Sequence, residues 1–157
     1  MKVQLLLVGK TTQDFVQKGV EEYAGRLKHY LPFELEVIPD IRNTRNFSVD
    51  RLREKEGEAI LRHLRPDDLT VLLDERGREF TSAEFAGYLE KKTVAAPKRL
   101  VFIIGGPYGF SDGVHAIARE KISLSRMTFS HQLVRLIFAE QLYRAMTILN
   151  NQPYHHE

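Results

Sequence analysis

The sequence contains no cysteine, which excludes disulfides, thiolate nucleophiles and cysteine-based zinc sites together. No apolar run reaches the ~20 residues that cross a bilayer. The opening MKVQLLLVGK also lacks the small-residue cleavage site of a secretory signal. A cytoplasmic protein without membrane contact is therefore expected. Metal-ligand spacing is missing too. The histidines at 29, 63, 115, 131, 155 and 156 form no HExxH arrangement, and adjacent His155 and His156 have no paired carboxylates beside them, so no metal is expected. Nor is there a large charge of one sign: 23 Lys and Arg against 21 Asp and Glu leave a formal +2, which does not by itself imply nucleic acid.

What is present suits one domain spanning residues 1–157, with 43% hydrophobic residues to build a core. Residues 3–8 read as a strand buried on both faces. Thr11 or Thr12 then caps a helix to about Tyr30, and residues 33–38 form a second strand with one solvated face. The polar loop 40–47, DIRNTRNF, carries Arg42 and Arg45. Ser48 caps a helix to about Leu64, with Leu52, Ile60, Leu61 and Leu64 turned inward. A third strand over 69–73 ends in DERG, where Asp74 and Gly77 supply turn chemistry. Thr81 and Glu84 have capping-box spacing. A fourth strand, 100–104, runs into GGPYG. Ser111 caps a short helix with Val114, Ile117 and Ala118 inward, before a strand over 122–124. This alternation predicts an α/β fold with a mainly parallel sheet and helices on both faces.

The stretch from Ile122 to Leu149 organises the rest. After a polar corner at Thr128, Ser130 and His131 it becomes a helix that is apolar on nearly every side, with Arg135, Gln141 and Arg144 as exceptions. Such a helix must be covered all round. One sheet covers one side, so a second copy of the chain is the simplest cover for the other, which predicts a homodimer. Glu140 and Arg144 stand at the i, i+4 spacing of a helix-stabilising ion pair.

GGPYG lies at the carboxyl end of a buried strand, where open α/β sheets bind ligands. It matches neither GxGxxG nor GxxxxGK[ST], and ligand loop and plain tight turn both remain open. In the closing PYHHE, an aromatic beside imidazoles could stack on a base and hydrogen-bond to it, although the spacing by itself favours a frayed terminus. His131 is a general-base candidate or simply a polar residue at a helix start.

With GGPYG, LSRMTFSHQLVR, AEQLYRA and terminal PYHH in that order, together with KEGE at Lys55–Glu58, the chain closely resembles the RlmH family of small SPOUT-superfamily methyltransferases over its full length. The resemblance implies a SPOUT-type C-terminal trefoil knot, a homodimer through the knot region, and methylation of a pseudouridine at N3 in helix 69 of 23S rRNA within the assembled 70S ribosome. It implies S-adenosyl-L-methionine as cofactor, bound by Leu73, Gly105, Leu124, Ser125, Arg126, Met127, Thr128 and Phe129. Catalysis would fall to His155, Arg144 and Tyr154, with the tail reaching into the partner's site. Ser130 departs from the family, many of whose members carry proline there, and a less rigid turn is expected. Arg42, Arg45, Arg51 and Arg53 are candidate phosphate contacts with a salt-dependent affinity. A non-catalytic nucleotide-responsive protein and a ribosome-binding factor are the alternative readings.

Overall fold

The computed structural model describes residues 1–156. Among them strands and helices alternate: β1 (Lys2–Val8), α1 (Asp14–Leu27), β2 (Phe33–Ile38), α2 (Val49–His63), β3 (Leu69–Glu79), α3 (Ser82–Ala95), β4 (Arg99–Ile104), α4 (Asp112–Ile117), β5 (Glu120–Ser123) and α5 (Leu133–Leu149). Every pairing is parallel, in the order β2-β1-β4-β3-β5. Parallel neighbours need crossovers, and here helices supply them.

The continuous apolar runs fall where the sheet is covered on both sides. On one face Leu5, Leu7 and Phe102 pack with Ala24, Leu89, Phe138 and Leu142; on the other Leu6, Leu72, Val101 and Ile103 pack with Ala59, Ile60 and Val114. Helices α1, α3 and α5 thus line one face, and α2 and α4 the other. The one polar side chain deep in β4, Arg99, is neutralised where it is buried, with two bonds of 2.8 and 2.6 Å to Asp68.

Local rules hold at three caps. Ser48 and Ser111 accept from Arg51 N and Val114 N, and Thr81 with Glu84 forms a reciprocal capping box. They fail at α1, whose N-cap is Gln13 without a side-chain bond; the Thr11 hydroxyl accepts from Arg135. Two inward assignments are also corrected: Leu61 and Ile117 are exposed. Helix α2 instead buries Glu56, Gly57, Ala59 and Ile60, and Gly57 lets it press onto Ser111 and Val114 at α4.

DERG does not end β3. The strand continues to Glu79, and its pairing with β5 shifts register between Leu73 and Arg78, so the turn chemistry makes a bulge instead. Asp74 Oδ1 accepts from Arg76 N at 2.8 Å, and a Cβ on Gly77 would stand 2.5 Å from Ile122 N. Glycine is required there for backbone approach. Helix α5 buries Phe138, Ala139, Leu142 and Ala145 and leaves Leu133, Leu136, Ile137, Met146 and Ile148 half-buried, so one chain covers it on one side.

Candidate functional site

Because β3, β4 and β5 are parallel, their carboxyl ends open onto one edge, and an open cleft of about 990 Å³ lies there. Leu73, Gly105, Leu124, Ser125, Met127, Thr128 and Phe129 line it, three chain segments brought together as expected; Arg126 is not on its wall. Gly106, Phe110, His115 and His131 line it too.

The two glycines after β4 are needed for space. A Cβ on Gly105 would meet the Phe110 ring at 3.0 Å, and one on Gly106 would meet Glu56 Oε2 at 2.6 Å. Gly109, at φ +80°, closes the turn with its N–H on Gly106 O at 3.3 Å. GGPYG is thus both a tight turn and a cleft wall. Arg53 braces it, donating from Nε to Tyr108 O at 2.9 Å. Glu56 beneath the loop is buried, and burial, then the nearby Asp40 charge, hold its carboxyl above the usual range.

The opposite wall, 123–131, is held by serine hydroxyls. Ser123 Oγ donates to Ser125 O and Ser125 Oγ accepts from Met127 N, both at 2.9 Å. Ser130 accepts Leu133 N at 3.0 Å on its Oγ and Val134 N on its carbonyl. That turn is fastened by hydrogen bonds from Leu133 N and Val134 N.

Sequence reasoning assigned no role to Arg135, the largest fully buried side chain. From α5 it donates to Gly9 O at 2.8 Å, Thr11 Oγ1 at 2.8 Å and Val8 O at 2.7 Å. One turn earlier Gln132 accepts from Thr12 N and donates to Lys10 O. Together they lock the start of α5, and with it the wall before it, onto the end of β1. Burial lowers the Arg135 pKa, with Asp40 opposing, yet a guanidinium remains charged.

Arg144, Tyr154 and His155 form a second group, and none of them lines the cleft of the same chain. The tail is docked rather than frayed. Gln152 N donates to Thr147 O at 2.9 Å, and Tyr30 hydrogen-bonds the Gln152 side chain. The Tyr154 ring packs edge-on against Tyr143 at 4.8 Å, with Arg144 Cζ 4.8 Å from its centroid. Arg144 Nη2 donates to Glu140 Oε1 at 2.6 Å, and Tyr154 OH donates to the same oxygen at 3.0 Å. Arginine only donates, so in its 3.2 Å contact with His155 the imidazole Nδ1 accepts and carries no proton. Burial, then hydrogen bonds to Tyr23 and Glu140, push the Tyr154 phenol well above its ordinary pKa.

The sequence profile described as a predicted SPOUT methyltransferase matches residues 1–155. The ribosomal RNA large subunit methyltransferase H of Parabacteroides distasonis is 62% identical over 157 residues, covering 100% of both chains. Those of Porphyromonas gingivalis and Bacteroides thetaiotaomicron are 57% and 55% identical at the same coverage. Among solved structures, a probable methylase family protein from Haemophilus influenzae aligns with a TM-score of 0.54 at 14% identity, over 99% of this chain and 70% of that one, a likeness of fold. The chain belongs to the SPOUT methyltransferase family, among relatives that carry the name ribosomal RNA large subunit methyltransferase H.

Proposed function

We propose that the protein is a cytoplasmic rRNA methyltransferase that, as a homodimer with a knotted C-terminal segment, methylates N3 of the helix 69 pseudouridine in assembled ribosomes. The observation that carries this reading is the convergence of Leu73, Gly105 and the segment from Leu124 to Phe129, Arg126 apart, on one cleft at the strand ends, in a chain similar along its whole length to proteins named ribosomal RNA large subunit methyltransferase H. The cleft fits S-adenosyl-L-methionine. Gly105 and Gly106 pack against Phe110 and Glu56 and so put bare backbone on the cleft wall, and Leu73, Ile104, Leu124 and Val134 offer apolar walls for an aromatic base. That cofactor supplies an activated methyl group, so the work left to the protein is alignment, charge and one proton.

Leu73, Gly105, Leu124, Ser125, Met127, Thr128 and Phe129 hold and orient the donor, and Arg126 flanks them. The acceptor nitrogen is an imide and must lose a proton. His155 of the partner subunit assists its departure and the partner's Arg144 stabilises the negative charge that develops. Since His155 Nδ1 accepts from Arg144, removing a proton at that nitrogen requires the pair to part as the nucleotide arrives. The Tyr154 hydroxyl is committed to Glu140, so its contribution to the target is the ring. Arg42 and Arg45, exposed in the loop before α2, and Arg51, stacked on Phe47 at 4.3 Å, are the phosphate contacts. Arg53, which also braces the cleft loop, completes the set.

The test is to incubate the protein with labelled S-adenosylmethionine and ribosomes from cells lacking this gene, then map the label. Label on the helix 69 pseudouridine establishes the reaction. Absence of label, with cofactor binding demonstrated and an active relative as control, favours a non-catalytic ribosome-binding protein.

A further inference from the structure

At the sequence level Glu140 needs no explanation beyond an i, i+4 pair with Arg144. Its geometry goes further. Oε1 receives Arg144 Nη2 at 2.6 Å and, from fourteen residues along the chain, Tyr154 OH at 3.0 Å. A carboxylate can only accept, so the Tyr154 proton is spent on Glu140. In the 3.3 Å contact between Tyr154 and Tyr23 the donor is then Tyr23. Every arrow is thereby fixed: Tyr23 to Tyr154 to Glu140, and Arg144 to both Glu140 and His155.

We propose that Glu140 is the positioning residue of the tail: its carboxylate holds Arg144 and Tyr154 together, and through Arg144 it sets the orientation and tautomer of His155. Without it two donors converge on an empty place, Arg144 gains rotational freedom, and His155 loses a guanidinium held in one orientation. The anchors at Thr147 and Tyr30 act on Gln152, whose carbonyl accepts the Tyr154 amide at 2.9 Å, and so hold the backbone there, whereas the Tyr154 hydroxyl is held by Glu140 and Tyr23. The consequence for rate rests on the methyl-transfer reading; the consequence for tail order does not.

The test uses the full-length chain with Glu140→Ala, Glu140→Gln and Tyr154→Phe. Hydrogen exchange is followed at 150–156, and single-turnover methyl transfer at saturating cofactor and ribosomes. In Glu140→Ala the Tyr154 amide should exchange roughly tenfold faster, as expected for loss of a charge-assisted contact. Transfer should slow by at least about tenfold with cofactor Kd unchanged. Glu140→Gln, which keeps an acceptor without the charge, should fall between Glu140→Ala and wild type. Tyr154→Phe, which leaves α5 intact, should loosen the tail by itself. The effects of Glu140→Ala and Arg144→Ala should combine to less than their product, because part of the Glu140 effect passes through Arg144 while its hold on Tyr154 remains. Unchanged exchange in both Glu140→Ala and Tyr154→Phe, or effects of Glu140 and Arg144 that multiply, would overturn the inference. Wild-type protein that fails to label ribosomes while the exchange differences persist would sink the functional reading and leave the positioning role standing.

Discussion

Replacing Arg135 with Met should destabilise the fold by about 3–5 kcal/mol, less than the simple total for three hydrogen bonds to a charged group. The side chain is fully buried and makes three hydrogen bonds of 2.7–2.8 Å, two of them to carbonyls that stay where they are after the substitution. Bonds to a charged group contribute about 1.5–3 kcal/mol each, and an acceptor left unpaired costs about 1–3 kcal/mol. Met fills much of the volume and relieves the desolvation of a guanidinium, which offsets part of the loss and sets the range below the simple total. In a chain of this size, 4 kcal/mol corresponds to a fall in Tm of roughly 8–16 °C. Urea denaturation at fixed protomer concentration measures it, since any association would couple stability to concentration. The m-value should stay the same if the loss is native-state stability. Arg135→Lys keeps a charge but lacks the fork that reaches both Val8 O and Gly9 O, and should fall between the two. A loss below about 1 kcal/mol for Arg135→Met would refute the reasoning, because it would mean the clamp between α5 and the end of β1 does not stabilise the fold.

Two further outcomes bear on the cleft. Ser125→Ala removes the acceptor for Met127 N and should weaken binding of S-adenosylhomocysteine about fivefold by calorimetry, the equivalent of one net hydrogen bond, with no change in melting. Glu56 carries a raised carboxyl pKa from burial and then from Asp40, so its stabilising contribution is complete below the usual carboxylate range and lost as pH rises through the raised value. Glu56→Gln does not ionise, so its urea stability should gain on the wild type as pH rises from about 4, the ordinary glutamate value. Parallel pH profiles would show that Glu56 titrates normally in the folded state.

Periodicity and turn chemistry made the sheet and the cleft edge legible. The apolar runs at β1 and β4, each ending in a glycine, announce buried parallel strands, and parallel strands must end together. The same rules misread DERG, because Asp74 and Gly77 serve a turn and a bulge equally well. What separates the two is the backbone of Ile122 pressing on Gly77, a partner far along the chain. Arg135 was invisible for a related reason. A helical arginine among apolar residues reads as an exception facing solvent, and nothing local reveals that strand-end carbonyls will satisfy it. Glu140 shows the limit most clearly. Its spacing to Arg144 gave a correct contact and an incomplete meaning, because the second donor on the same oxygen comes from Tyr154, and Tyr154 is held in turn by Tyr23 on α1. Local pattern identifies pairs, whereas the chemistry of this tail depends on which pairs share an atom. That sharing is decided by how α1, α5 and the last residues pack, so it becomes readable only once the helices are placed.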